Sequence, residues 1–121
     1  MVIVDSSGWI EYFTSGPHAA EYQKHLKDAR KIITPTIILY EVYKKIKREI
    51  SEEAALEAVS AMKQTEIVPV SESIALLAAD LSIKHALPMA DAIVYASAVE
   101  MDCTVVTGDA HFKGLEKAVL I

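Results

Sequence analysis

The sequence predicts an α/β fold: a single domain spanning residues 1–121, with a central parallel sheet of about five strands and helices on both of its faces. Three observations support this prediction. A chain of 121 residues has the usual size of one domain with one hydrophobic core. Its composition, 52% hydrophobic and 24% charged, is that of a globular protein. Short β-branched runs alternate with segments of helical periodicity, an order typical of parallel sheets covered by helices.

The predicted strands are short apolar runs bounded by turn-forming or capping residues. They are Val2–Val4, Ile32–Ile33, Ile67–Val70, Thr104–Val106 and Ala118–Ile121. The first strand ends at Asp5, and the fourth is followed by Thr107, Gly108 and Asp109. Ligands of open parallel sheets bind beyond the carboxyl ends of the strands, so Asp5 and Asp109 are candidate site residues.

The predicted helices are indicated by apolar residues three and four positions apart and by capping residues at their starts. Ser51 and Ser71 are typical N-cap residues, and Pro35 and Pro88 occupy positions at which proline opens a helix. The third helix is expected to run to about Ile50. The six helices are expected to begin at or near Trp9, Ala19, Thr34, Ser51, Ser71 and Pro88.

Charge and cysteine content narrow the classes of function. With 12 Lys and Arg against 17 Asp and Glu, the net charge is −5, so any chemistry on nucleic acid requires a local patch or a metal. The single cysteine, Cys103, cannot form an internal disulfide and is expected to be a small buried side chain. The apolar N-terminus has no basic segment before it, and the nearly uncharged stretch Ala86–Val99 is too short to span a bilayer. A cytoplasmic protein without membrane contact is therefore expected.

Four carboxylates have unusual surroundings. Asp5 and Asp109 follow strands, where each has an alternative role as a helix cap or turn residue. Glu41 shares part of the apolar face of its helix, so its carboxylate is either partly buried or at an edge that reaches solvent. Asp91 lies in a segment that is apolar on all sides, which is typical of a buried helix. It either serves a site or caps the first helical turn after Pro88.

Convergence of these four carboxylates would have a chemical consequence. Like charges in one place raise the pKa of some of the carboxyl groups unless a cation lies among them. Carboxylate oxygens without His or Cys partners suit Mg²⁺ or Mn²⁺ rather than zinc. Such ions lower the pKa of water and stabilise the charge that develops in phosphoryl displacement. An acidic protein can act on an anionic substrate in this way.

The segments around the four residues resemble the acidic motifs of PIN domains. The matching segments are the N-terminal VIVDSS, the helix TPTIILYEV, the helix ALPMADAIVYASA and the turn VVTGDAHF. Their order and spacing along the whole chain most resemble the VapC-type toxins of type II toxin–antitoxin pairs. The resemblance implies a PIN domain over residues 1–121, with strand order 3-2-1-4-5, and a Mg²⁺- or Mn²⁺-dependent endoribonuclease.

The same resemblance implies roles for individual residues and partners. Asp5 and Asp91 match the principal metal ligands, and Asp109 matches a residue that binds metal directly or through water. Glu41 matches a residue that holds a metal-bound or attacking water. The family further implies an RNA substrate cut to 5′-phosphate and 3′-hydroxyl ends, an inhibitory VapB-like antitoxin and a toxin homodimer. Ser6 and Thr107 match two positions at which a hydroxyl group often supports the site. Either residue equally suits a helix cap or a turn.

Other features of the sequence are less specific. Lys44, Lys45 and Arg48 share a helix side with Glu41, where they either track RNA phosphates or form a solvated helix end. A group of aromatic residues forms either an exposed groove for a partner or packing beneath neighbouring helices: Trp9, Tyr12, Phe13, Tyr40 and Tyr43. The histidines have no metal-ligand spacing and are expected on the surface or in loops: His18, His25, His85 and His111.

Three other functions are found in small α/β proteins with an acidic pocket, and the sequence lacks the residues that two of them require. A phospho-receiver domain requires an acceptor aspartate after a middle strand and a lysine after a late one, which Ser71–Ser73 and Thr107–Asp109 do not supply. A haloacid-dehalogenase-like phosphatase requires a second aspartate two residues after the first, where this chain has Ser7. A catalytically inactive PIN fold that acts as a protein-interaction module stays open, and a metal-dependent RNA cleavage assay distinguishes it from the enzyme.

Overall fold

The computed structural model describes residues 1–121, and strands alternate with helices as predicted. The strands are β1 (Val2–Val4), β2 (Ile33–Pro35), β3 (Glu66–Val68), β4 (Thr104–Thr107) and β5 (Ala118–Leu120). The helices are α1 (Ser6–Thr14), α2 (Ala19–Leu26), α3 (Thr36–Glu49), α4 (Glu52–Met62), α5 (Glu72–His85) and α6 (Met89–Glu100). Two 3₁₀ turns are formed by Ala29–Lys31 and Ala110–Phe112. None of the six helices has the length and hydropathy that crossing a membrane requires.

The sheet differs from the single five-stranded sheet in the order 3-2-1-4-5 that the resemblance implies. All strand pairs are parallel, but they form a three-stranded sheet, β1-β4-β5, and a two-stranded sheet, β2-β3. The two sheets meet at a single parallel bridge between Val2 and Ile32. The Ile32 carbonyl accepts the Glu66 N–H, so the alternation of the backbone turns Ile33 and Pro35 toward β1. Proline has no N–H to donate, which explains why the pairing with β1 stops after one bridge.

Two helices begin at positions other than those predicted. α1 begins before Trp9, at Ser6, because the Asp5 carboxylate accepts the Ser6 N–H at 2.8 Å and caps the helix. α3 begins at Thr36, because β2 extends through Pro35. Because α1 begins this early, its first residue follows directly after Asp5, the residue that comes after β1.

The hydrophobic core lies between the strands and the helices that cover them. It includes β1 and β4, and also Cys103, which is buried as predicted. Gly8 lets α1 approach its neighbours closely, since a Cβ there would lie 2.5 Å from Tyr22 Cε1 and 2.7 Å from Val4 Cγ1. A glycine is therefore needed where α1 packs against α2 and β1, three residues after Asp5.

Candidate active site

The four predicted carboxylates meet at one cavity. β1 and β4 are parallel neighbours, and the Asp5 N–H donates to the Val106 carbonyl at 3.0 Å, so both strands end at the same edge. Asp5 and Asp109 extend from that edge, while α3 and α6 supply Glu41 and Asp91. All four residues line a cavity of about 340 Å³, together with parts of α1, α2 and the last residue of the chain. We call this space the acidic cavity.

Asp5 caps a helix and faces the acidic cavity at the same time. Its side chain is buried, with Oδ1 accepting the Ser6 N–H and Oδ2 accepting the Thr107 hydroxyl, both at 2.8 Å. Burial raises the pKa of Asp5, the hydrogen bonds from Thr107 and Ser6 offset part of this increase, and the charge of Asp109 adds to it. The capping role and the site role predicted as alternatives are thus compatible in one side chain.

Thr107 connects two of the carboxylate residues. Its fully buried hydroxyl donates to Asp5 Oδ2 and accepts the Asp109 N–H at 3.0 Å. Asp109 in turn accepts the His111 N–H at 2.8 Å and caps the 3₁₀ turn that follows β4. One hydroxyl therefore fixes the Asp5 carboxylate and the backbone that carries Asp109.

Replacing Thr107 with valine is expected to damage both stability and the site. Thr107→Val keeps the shape but leaves the Asp109 N–H and one buried Asp5 oxygen without their partner, which costs about 1–3 kcal/mol of unfolding free energy. Mutation of a residue that orients metal ligands typically lowers metal affinity by about 10–100-fold, and this is the loss expected if Asp5 and Asp109 hold a cation. Urea denaturation and Mn²⁺ titration calorimetry measure the two effects. Thr107→Ser, which keeps the hydroxyl, is the control, and a valine variant with wild-type stability and Mn²⁺ affinity would contradict this role.

Asp91 and Asp109 form a closely coupled pair. His111 Nδ1 lies 2.7 Å from Asp109 Oδ1 and 3.2 Å from Asp91 Oδ2, and the Asp91 side chain is only 15% exposed. Burial, followed by the charges of Asp109 and Asp5, raises the pKa of Asp91 to about 7. Burial also acts to raise the pKa of Asp109, but hydrogen bonds from the backbone and ring of His111 outweigh it and hold that pKa below its usual value. The pKa values of the two carboxyl groups are therefore displaced in opposite directions, upward for Asp91 and downward for Asp109.

Glu41 lies in the middle of α3, and its side chain is half-buried at the acidic cavity. Burial and then the charge of Asp5 raise the pKa of Glu41, and the Ser6 hydroxyl offsets part of the increase. The structure thus agrees with the expectation of a partly buried carboxylate rather than one at an edge that reaches solvent.

His111 is the site residue that the sequence interpretation missed. It is more than half exposed, as expected for a loop histidine, yet its ring lies against Asp91 and Asp109. No histidine lies at metal-ligand spacing from His111, because its neighbours in space are carboxylates. The pattern Asp109-Ala110-His111 was the available signal, since a capping aspartate accepts the backbone N–H two residues later and brings that side chain beside it.

The donor set fits a hard divalent cation. Single ligand atoms of Asp91, Asp109 and His111 lie within 4.8 Å of one another, and Asp5 and Glu41 face the same cavity. Carboxylate oxygens with one imidazole suit Mg²⁺ or Mn²⁺, and zinc sites more often use several nitrogen or sulfur ligands. A divalent cation held among Asp5, Glu41 and Asp91 would lower their raised pKa values, because it favours the charged form of each carboxyl group.

The aromatic residues do not form one exposed groove. Trp9 is 3% exposed and stacks on Phe13 with ring centroids 5.8 Å apart. For Trp9 the structure therefore agrees with the alternative of packing beneath neighbouring helices, because α1 turns its side chain into the core. Tyr12 and Tyr40 do reach the surface, with 38% and 57% of their areas exposed.

Comparisons with known proteins agree with this architecture. A toxin–antitoxin complex from Klebsiella pneumoniae contains a chain with a TM-score of 0.84 and 21% identity, over 98% of this chain and 96% of that one. VapC20 of Mycobacterium tuberculosis, described as a sarcin-ricin loop cleaving toxin, has a TM-score of 0.73 and 18% identity, over 87% of each chain. DNA-bound VapBC from Salmonella typhimurium has a TM-score of 0.78 and 15% identity, over 99% of this chain and 96% of that one. No curated protein sequence matches the chain. The family model of the PIN domain matches residues 2–118, and the chain therefore belongs to the PIN domain family.

Proposed function

We propose that this protein is a metal-dependent endoribonuclease that hydrolyses RNA phosphodiester bonds, and that it is the toxin of a toxin–antitoxin pair. The observation that carries the proposal is the meeting of four carboxylates at one cavity in a PIN domain, with the pKa of Asp91 raised to about 7. Such crowding of acidic groups is costly unless a cation neutralises them. VapC20 and the toxin–antitoxin complexes among the structural neighbours support the same reading.

Each carboxylate has a distinct task in the proposed reaction. Asp5, Asp91 and Asp109 would hold Mg²⁺ or Mn²⁺, which when bound would supply an activated water and neutralise negative charge on the phosphate. Thr107 and Ser6 keep the Asp5 carboxylate in place through their hydrogen bonds. Glu41 orients the attacking water and accepts its proton, a role that suits a half-buried carboxylate with a raised pKa.

The bond changes follow from an attack by water. The water oxygen bonds to phosphorus, and the bond from phosphorus to the 3′ oxygen breaks. The leaving 3′ oxygen takes up a proton from a solvent water, so the products carry a 5′-phosphate and a 3′-hydroxyl. The ribose 2′-hydroxyl is not the nucleophile in this scheme.

The proposed partner is a VapB-like antitoxin that covers the mouth of the acidic cavity. A basic side chain, such as arginine, would pair with the carboxylates and displace the cation. Several structural neighbours are toxin–antitoxin complexes, which supports a partner of this kind. We further propose a homodimer and a cytoplasmic location, as for a toxin that acts on cellular RNA.

Cleavage mapping on total cellular RNA tests the proposed function. We expect cuts with 5′-phosphate ends in Mg²⁺ or Mn²⁺ and none after addition of a chelator, because the four carboxylates of the acidic cavity repel a phosphate unless a bound cation neutralises them. Glu41→Gln, purified in the same way, shows whether a contaminating nuclease is responsible. Activity that survives thorough chelation would contradict the mechanism. A folded protein that binds a partner and cleaves no RNA would favour the interaction module.

A further inference from the structure

A second groove runs from the acidic cavity along α3. It has a volume of about 310 Å³ and lies between α1, which contributes Ile10, and the side of α3 that carries Tyr40, Lys44, Lys45 and Arg48. The two spaces adjoin, because the second groove shares three of its lining residues with the acidic cavity: Ser6, Ser7 and Glu41. We call the second space the basic groove.

We propose that the basic groove binds the phosphate backbone of the RNA strand on one side of the cut. This inference rests on the proposed function, because it assigns the path by which that substrate reaches the acidic cavity. Phosphates next to the cut lie outside the reach of a cation bound at the carboxylates, and they need another source of positive charge in a chain whose net charge is −5.

Helix geometry places the basic groove on a fixed side of α3. Ile38, Val42 and Ile46 are buried and hold one side of the helix against the core. The basic residues at 44, 45 and 48 lie on the side that also carries Glu41, since positions three and four apart are neighbours on a helix surface. The cations therefore continue from the acidic cavity in a defined direction.

The charges in the basic groove are available to a ligand. Lys44 Nζ lies 3.1 Å from the Tyr40 hydroxyl and 5.3 Å from the centre of its ring, contacts that position the ammonium group without neutralising it. Lys45 forms no ion pair, and Arg48 pairs only with its exposed neighbour Glu49, at 3.6 Å. Exposed pairs of this kind contribute little and exchange readily for a phosphate. Apart from Glu41, no acidic residue lines the groove.

The alternative of a solvated helix end explains only part of this arrangement. Basic residues in the last turn of a helix are stabilised by the helix dipole, and in α3 these are Lys47 and Arg48. Lys44 and Lys45 precede that turn, so the dipole does not account for them. Tyr40, which is 57% exposed, offers an aromatic face on which a base of single-stranded RNA can stack. A polyanion with bases fits this combination better than an acidic peptide.

The salt dependence of RNA binding tests the proposal. A labelled single-stranded RNA of about 12 nucleotides is titrated with protein carrying Asp91→Asn, which prevents cleavage, and the affinity is measured by fluorescence anisotropy over a series of KCl concentrations. The slope of log K against log salt is negative. Replacing Lys44, Lys45 and Arg48 with glutamine is expected to make it shallower by about 2, at about 0.7 for each lost phosphate contact. The single variant Lys45→Gln is expected to make it shallower by about 0.7.

A triple variant on other surfaces is the matched control. Lys27→Gln, Lys63→Gln and Lys84→Gln make the same change in net charge at exposed residues that line neither space, and the slope should not change. An unchanged slope in the groove variants, an equal fall in the control, or no measurable RNA binding by the parent protein would overturn the proposal. Loss of binding to a labelled poly-glutamate peptide, with RNA binding unchanged, would assign the groove to an acidic partner instead.

Cleavage by the groove variant with Asp91 intact separates this inference from the proposed function. We expect KM for RNA to rise while kcat at saturating RNA is retained, because the substitutions leave the carboxylates unchanged. An active wild-type enzyme with an unaltered KM in the groove variant would overturn the groove alone. A wild-type protein that binds RNA through the groove without metal-dependent cleavage would overturn the nuclease and leave the groove standing.

Discussion

The Asp91→Asn variant is expected to lose RNA cleavage by at least about 100-fold, while its metal-free form unfolds at no lower a urea concentration than the wild type. The substitution removes a metal ligand that lies beside Asp109 and His111. It also removes an acidic group whose pKa is raised to about 7 by burial and by the charges of Asp109 and Asp5. Relief of that repulsion offsets the loss of the contact with His111.

Asp80→Asn is the matched control, because Asp80 is exposed on α5 and lines neither space. It should leave both cleavage and stability unchanged. A clear fall in the stability of metal-free Asp91→Asn would instead favour a capping role in the first turn of α6. An active Asp91→Asn protein would remove this residue from the metal site.

The metal-free protein is expected to lose stability as the pH rises from about 4 to about 7. The pKa of Asp91 is 3.8 in its ordinary state and about 7 in the folded chain, so the folded state keeps a proton that the unfolded state has lost. Burial raises the pKa values of Asp5 and Glu41 in the same direction. The pKa of Asp109 is lowered, so its effect on stability is a loss as the pH falls below about 4, outside this range. A pKa that rises from 3.8 to about 7 corresponds by itself to a loss of about 4 kcal/mol.

Urea denaturation in the presence of a chelator, at pH 5 and at pH 8, measures this loss. Asp91→Asn should reduce the difference between the two pH values, because asparagine does not titrate. Excess Mn²⁺ should also reduce it, since the cation stabilises the charged carboxylates. Equal pH dependence in the wild type and in Asp91→Asn would show that Asp91 keeps an ordinary pKa.

Much of the fold follows from local patterns in the sequence. The alternation of strands and helices was predictable from apolar periodicity, and the Ser51 and Ser71 caps form as predicted, accepting the Ala54 and Ile74 N–H groups. The division of the sheet was not predictable. It depends on whether Pro35, which has no N–H to donate, is turned toward β1 or toward β3. That orientation is set by pairing with β3, a contact between distant parts of the chain.

The candidate site was predictable to the extent that its charged residues lie in otherwise apolar segments. A carboxylate at the end of an apolar strand or within an apolar helix is unusual alone, and four of them in a familiar order indicated one site. Their catalytic roles stay a prediction. The bridging hydroxyl of Thr107 and the position of His111 depend on distances across the sheet edge, which spacing along the chain does not give. Whether Trp9 is buried was left open, because spacing along the chain does not show which side of α1 faces the core.

The location of a bound manganese ion tests most directly whether the four carboxylates form a metal centre. Crystals of the wild type and of Asp91→Asn are soaked in Mn²⁺, and anomalous diffraction is recorded at the manganese edge. We predict a peak in the acidic cavity among Asp5, Asp91 and Asp109 in the wild type, and its loss or marked weakening in the variant. A wild-type preparation that cleaves RNA in Mn²⁺ but shows no manganese in the acidic cavity would contradict the account.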